Sequence, residues 1–308
     1  MTDDDGMLPP LTVDCVQPFQ IEATGVRGRL VRLGATLEGV LAGHAYPPAV
    51  AAMLAEALAM AAVLSSSLKY DGIFTLQLEG DGPVGLMVVD YTSSGHVRGY
   101  ARFDAERLAA EAPAANASVP QLFGAARMSF TVDQGPDTAR YQGITPLEGA
   151  TLAACCHAYF RQSEQLQTAI MLCASDMARA EEPRRAGALM IQRLPIANPL
   201  QSDAAEDDWR RAVAMMSSAT ASELLSPALA ADSLLYRLFN EDGVRVYRQR
   251  PLAYRCRCSQ AKVERTLAAF PLAELMAMAE NGVLQVTCEF CKANYVMDEA
   301  ALRAVGSR

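Results

Sequence analysis

The sequence predicts an α+β fold: a mixed sheet-and-helix core domain in residues 1–196, a helical linker in 197–250 and a small four-cysteine zinc domain in 251–308. Three observations lead there. Strand-like alternation recurs between helical stretches without the regular rhythm of strand, helix and parallel strand. A proline-flanked stretch, Pro195 to Pro199, and the acidic run Asp203, Glu206, Asp207 and Asp208 then change the composition, as at a domain boundary. Beyond them, Cys256 and Cys258 form one close pair and Cys288 and Cys291 another, a spacing that suits a tetrahedral site.

Taken in order, Val26 to Leu33 alternates apolar and polar for most of its length, the pattern of a half-buried strand. Ala35 to Leu41 reads as a short helix closed by Gly43. Tyr46-Pro47-Pro48 opens a long alanine-rich helix to about Leu68, since proline is tolerated in a first turn. Met53, Leu54, Ala57, Leu58, Ala61 and Leu64 give it a core-facing stripe. Phe74 to Glu79 is a strand that leads into Gly80-Asp81-Gly82-Pro83-Val84-Gly85. That string satisfies G-x-G-x-x-G, but a dinucleotide site needs a helix after the glycines. Leu86 to Tyr91 is strand-like instead, so the glycines mark a hairpin turn. Strands are expected at Gly99–Phe103, Ala126–Val132, Arg140–Ile144, Ile170–Ala174 and Gly187–Leu194, and a helix at Leu152–Arg161. Ala105 to Ala117 reads as surface loop.

Past the boundary, acidic residues precede the helical run Trp209 to Met216, a favourable order at a helix N-terminus. Thr220 and Glu223 form a capping-box pattern, and Asp232 is a candidate cap for Leu234 to Phe239. Gly243 ends that helix, and Val244 to Tyr247 reads as a strand feeding the cysteine domain. The apolar faces of these short helices need a surface to lie on. Two readings stay open: helices docked permanently, or a metastable linker released in one state.

The 308 residues are 51% apolar and 20% charged, the balance of a globular chain. A net charge of −8 argues against a dedicated nucleic-acid binder, which would show a basic face. The acidic start, Met1-Thr2-Asp3-Asp4-Asp5, lacks the apolar region of a signal peptide. The longest uncharged helical run, Ala57 to Leu68, falls short of the roughly twenty apolar residues that span a bilayer. A soluble, cytoplasmic protein without a membrane partner is expected, and in a reducing compartment clustered cysteines point to metal or redox chemistry.

Four thiolates in two pairs would close a zinc site with no position left for water or substrate, so a catalytic zinc is not expected. Arg255, Arg257 and Lys292 offset part of the thiolate charge. The bland reading is a structural zinc ribbon that binds nucleic acid or protein. The same sulfurs can also be oxidised, which ejects the metal, and spacing alone does not choose between staple and switch. Cys15, Cys155, Cys156 and Cys173 have no partnered spacing and read as buried, inert thiols. His44, His96 and His157 are scattered, and no catalytic constellation, cofactor-binding motif or enzyme signature is found.

Tyr254-Arg255-Cys256-Arg257-Cys258-Ser259, followed by Asn281-Gly282 and by Cys288-Glu289-Phe290-Cys291 with Tyr295, resembles the redox-switch domain of the heat shock protein 33 family. The resemblance continues upstream in Leu68-Lys69-Tyr70-Asp71-Gly72, Gln77 to Pro83, Tyr141-Gln142-Gly143 with Leu147-Glu148-Gly149, and Tyr159-Phe160 with Ser163-Glu164-Gln165-Leu166. Departures are Gln167 for a usual proline, Ala188 for a usual glycine, and Met297 for an aromatic residue, where softer packing is expected. The resemblance implies a redox-regulated, ATP-independent holdase chaperone. It implies one Zn²⁺ per reduced chain on Cys256, Cys258, Cys288 and Cys291, and disulfides Cys256–Cys258 and Cys288–Cys291 in the oxidised form. It further implies a homodimer when oxidised, unfolding proteins as clients, and their hand-off to ATP-dependent chaperones. A thioredoxin-like oxidoreductase is the remaining rival, but its reactive pair opens a helix, whereas Cys288 follows the strand-like Val283 to Val286.

Overall fold

Alternating stretches of the N-terminal two-thirds, joined by short strands between Val244 and Tyr254, assemble into two antiparallel-rich sheets wrapped about one long helix. The computed structural model describes residues 14–111, 113–135, 138, 141–164, 166–179, 181–193 and 202–306. The expectations for Met1–Asp5, for Pro195–Pro199 and for strand ends at Arg140 and Leu194 lie outside the described residues. The chain forms two compact units, Met1–Leu41 with Tyr46–Tyr254, and Ala42–Ala45 with Arg255–Arg308.

In chain order the larger unit holds β1 (Cys15–Ile21), β2 (Arg27–Leu33), α1 (Ala35–Leu41), α2 (Pro48–Ser67), β3 (Ile73–Gly80), β4 (Val84–Thr92), β5 (His96–Phe103), α3 (Ala105–Glu111), α4 (Val119–Phe123), β6 (Ala126–Asp133) and β7 (Tyr141–Pro146). Then come α5 (Leu152–Tyr159) with a π-turn, β8 (Thr168–Ala174), β9 (Ala186–Gln192), α6 (Ser202–Ser217), α7 (Ala221–Leu225), α8 (Ala231–Phe239), β10 (Val244–Val246), β11 (Arg250–Pro251) and β12 (Ala253–Tyr254). One sheet runs β10-β1-β2-β9-β8, with β11 also on β1; the other runs β12-β5-β4-β3-β6-β7. Every neighbour is antiparallel except β12 on β5.

α2 is buried on every side, from Val50 through Leu64, and packs against strands of both sheets. The sequence stripe marks only part of its buried surface, because a helix between two sheets has no solvent face. At twenty residues it is also long and apolar enough to cross a bilayer, although 89% of the qualifying window is buried in this core. The uncharged-run estimate missed that length by stopping at Glu56, whose carboxyl burial pushes upward.

Several boundaries differ from expectation for local reasons. Ala105–Glu111 is a helix, not loop: Asp104 Oδ1 accepts from the amides of Glu106 and Arg107, and Leu108 is buried. Ala230, not Asp232, is the N-cap of α8. The Thr220–Glu223 capping box forms as expected. A 3₁₀ turn over Asn240–Asp242 follows α8 before Gly243, at φ 70°, closes the element. β1 went unpredicted because Pro18 sits mid-strand, where proline usually argues against one. Its missing N–H falls in the gap between β10 and β11, where Tyr247 N donates to Pro18 O.

β2 is covered on both faces, not half-buried. Its outer face, with Phe19, Ile21, Leu189 and Ile191 of neighbouring strands, carries a second core closed by Trp209, Met216, Leu224, Leu234, Leu235 and Phe239 of α6–α8. Phe19 and Phe239 stack at 5.5 Å between centroids. Val244–Val246 does not feed the cysteine domain; it pairs with β1, Phe19 opposite Val246, and so extends the core sheet.

The smaller unit contains α9 (Gln260–Leu267), α10 (Leu272–Met278), β13 (Val283–Thr287), β14 (Asn294–Asp298) and α11 (Glu299–Gly306). Leu267, Leu275, Leu284, Met297, Leu302 and Val305 are its buried apolar residues. Met297 is 1% exposed, at the centre of this small core.

Candidate metal centre

Two local turns bring the cysteines together. Cys256 and Cys258 lie in a non-helical, non-strand segment that ends at Ser259, whose hydroxyl accepts from Lys262 N and caps α9. Cys288 and Cys291 lie in the turn between β13 and β14. Lys292 there has a positive φ of 57°, Lys292 N donates to Cys288 O at 2.8 Å, and Cys288 N donates to Ala293 O at 2.9 Å. Register is set at the other end of β13. Asn281 and Gly282, at φ 52° and 78°, make a two-residue turn in which Glu280 and Val283 exchange backbone hydrogen bonds at 3.0 Å.

All four sulfurs lie within 4.8 Å of one another. Separations are 3.4 Å for Cys256–Cys258, 3.8 Å for Cys256–Cys288 and 3.4 Å for Cys258–Cys291. A tetrahedron with bonds of about 2.3 Å has edges of about 3.8 Å, so the donor set and its spacing fit a four-coordinate zinc.

The surroundings favour thiolates. Burial opposes ionisation of Cys256, but the Cys258 amide and the neighbouring thiols outweigh it and bring its pKa down to about 7. Burial holds Cys288 up against the amides of Cys291 and Phe290 that point to its sulfur. Burial likewise pushes Cys291 up to about 12, against the Ala293 amide. Four adjacent sulfurs thus give up the first proton readily and the last with difficulty, and a bound cation reverses that order. Tyr295 was not singled out as a functional residue. Its hydroxyl lies beside the Cys258 sulfur, whose interaction with it raises the phenol to about 12. Its signal in sequence was the spacing Cys291-x₃-Tyr295.

No histidine joins the sulfurs. His44 Nε2 faces Phe290 O at 3.1 Å, His96 Nδ1 faces Ser94 Oγ, and His157 Nε2 accepts from Ile170 N. Lys292 Nζ lies 3.5 Å from Glu289, and Lys262 Nζ donates to Arg257 O at 2.6 Å. The other cysteines are buried and separate from the cluster. Burial pushes Cys15 and Cys155 up to about 11 and Cys156 and Cys173 up to about 12, which leaves little thiolate for oxidation. Replacing these four with alanine is expected to cost stability but leave metal content and the oxidant response intact. A folded variant that no longer responds to oxidant would refute this division.

The sequence profile of the Hsp33 protein family matches residues 14–298. A 33 kDa chaperonin of Caulobacter vibrioides is 43% identical over 288 residues, 92% of this chain and 95% of that one. Another, of Ectopseudomonas mendocina, is 36% identical over 289 residues, 93% of each chain. The crystal structure of a 33 kDa chaperonin, a heat shock protein 33 homolog from Thermotoga maritima, matches the fold with a TM-score of 0.79 at 23% identity. The match covers 95% of this chain and 97% of that one.

Proposed function

The chain belongs to the Hsp33 family, and we propose that it is a redox-regulated, ATP-independent holdase, silent when reduced and active when its four clustered thiols are oxidised. The observation that carries this reading is the closed set of four sulfurs in a unit with only six buried apolar residues among those described. Zinc, when bound by Cys256, Cys258, Cys288 and Cys291, supplies a cross-link worth about 10–16 kcal/mol to folds of this size.

Oxidation pairs Cys256 with Cys258 and Cys288 with Cys291, as family membership implies. Each disulfide passes two electrons to an oxidant such as hypochlorite, and the thiolates cease to be ligands. A core of six residues does not hold the unit afterwards. α6–α8 then leave the sheet. Both surfaces of their interface, Phe19, Ile21, Leu30 and Ile191 on one side and Trp209, Met216, Leu235 and Phe239 on the other, become available to clients. The methionines and short helices on the released side adapt to many shapes. The boundaries 1–196, 197–250 and 251–308 are proposed as functional segments: stable core, releasable linker and redox domain. Oxidised protein dimerises, works in the cytoplasm and passes clients to ATP-dependent chaperones on this reading. No catalytic residue is assigned.

Light scattering from a thermally unfolding client tests it. Oxidised protein is expected to suppress aggregation and reduced protein is not; equal behaviour of the two forms would overturn the reading, and turnover in insulin reduction would favour an oxidoreductase. Cys288→Ser is expected to lose most of the zinc found at one ion per reduced chain. Unchanged metal content in that variant would mean a different ligand set.

A further inference from the structure

Arginines in the larger unit are mostly paired: Arg98 with Asp90, Arg127 with Glu79, Arg193 with Glu206, Arg211 with Asp242 and Arg245 with Glu22. Arg102, Arg107, Arg161 and Arg185 are not, and neither are Arg27, Arg29, Arg248 and Arg250, which differ in standing near one another. None has a side-chain ion pair or hydrogen bond among the described residues, in a chain with 35 acidic residues against 27 basic ones.

The register explains why three of them converge. Across β1 and β2, Gln20 stands opposite Arg27 and Pro18 opposite Arg29; across β1 and β11, Val16 stands opposite Arg250. Opposed residues share a face, as do alternate residues of one strand. Arg27, Arg29 and Arg250 therefore rise from the same face of the sheet. Burial first, then the charges of Arg250 and Arg27, bring the Arg29 guanidinium down to about 10. Its Nε is buried without a hydrogen-bond partner, in contrast to Arg32 on the opposite face, whose nitrogens all reach carbonyls.

Beside this cluster lies a cavity of about 660 Å³, bounded by Pro18, Tyr91, Ser93, Ser94, Arg248 and Arg250 among others. Its size falls in the range of small-molecule sites. Arg248 and Arg250 are exposed to solvent at this cavity, and with the half-buried Arg29 near them they set up a positive field that a bound anion would relieve. One carboxylate would not balance this cluster, whereas a phosphate group brings a charge of about −1.5 to −2 and three acceptor oxygens.

We propose that this cavity binds a small phosphate-bearing anion, with Arg250 and Arg248 as direct ligands and Arg29 behind them. Arg248 and Arg250 lie on the connection from β10 to β12, so the bound anion ties that connection to β1 and β2. This assignment does not depend on the chaperone reading.

The test uses full-length, reduced protein and inorganic phosphate as the probe, by calorimetric titration and thermal unfolding, with sodium chloride and acetate at matched ionic strength. Saturable binding of one phosphate per chain is expected, weakened about tenfold or more in Arg250→Gln. Arg127→Gln, on the other sheet, should bind as the parent does. Arg29→Met is expected to raise the anion-free midpoint by roughly 2–4 °C, because a half-buried unpaired charge is removed, and to lose the phosphate response. If Arg29 is purely structural, that variant melts lower instead. No saturable binding, equal binding of acetate, or equal weakening in Arg127→Gln would overturn the proposal.

Discussion

Removing the metal from reduced protein, or oxidising its four clustered thiols, is expected to speed amide exchange across residues 255–306 by roughly a thousandfold or more. Exchange in α6–α8 should rise with it, while β3, β4 and β6 keep their protection. α9, α10 and α11 have eight, seven and eight residues, lengths that do not persist as isolated helices. Their shared core is six residues, so a loss of about 10–16 kcal/mol exceeds what burial there returns. Disorder then reaches the linker through the connection 250–254, held by the two-residue strands β11 and β12. The core meets the opposite balance, with α2 buried between two sheets and β3 paired on both sides from Ile73 to Glu79. Equal loss of protection in β3, β4 and β6, or a linker that stays protected in active protein, would refute sub-global unfolding.

How far the sequence carried this picture depends on how local each signal is. The cysteine pairs were legible because each lies within one turn, and the twenty-nine residues between them had only to fold back. The hairpin at Gly80–Gly85 was legible because the strand after it rules out a phosphate-binding helix, and the Thr220–Glu223 box is complete within four residues. What stayed hidden depends on partners distant in sequence. Val244–Val246 is three residues long, and only β1, more than two hundred positions earlier, makes it a core strand. Pro18 masks β1 unless the gap in its neighbour is known. Asp104 was a readable helix cap, passed over because the small residues after it resemble loop. Most consequential is Arg32: a long cation in an alternating strand reads as solvent-facing, yet it is 7% exposed.

Arg32→Met is expected to free the linker while the cysteine cluster keeps its metal. Arg32 Nε donates to Leu224 O at 2.8 Å, one terminal nitrogen to Glu223 O at 3.0 Å and the other to Leu229 O. These carbonyls close α7 and the loop after it, where a cation also meets the negative end of the helix dipole. Burial pulls the guanidinium down, and among the described residues no carboxylate pairs with it; the carbonyls hold it. Methionine fills much of the volume but donates nothing, so three docked carbonyls lose their partner and regain hydrogen bonds only by undocking into water. At about 1–3 kcal/mol for each unsatisfied group, even one or two such losses shift the docked population by roughly tenfold to a thousandfold. Reduced, metal-replete Arg32→Met should therefore suppress client aggregation and exchange rapidly at α6–α8. Gly187 offers an independent route, since a Cβ there would lie 2.9 Å from Leu224 Cγ, and Gly187→Val should also lift α7. Arg237→Gln removes only a partly exposed pair with Glu223, typically worth about 0–1 kcal/mol, and should stay silent. A folded Arg32→Met protein with parental linker protection and no activity when reduced would show that docking rests on the apolar contacts alone.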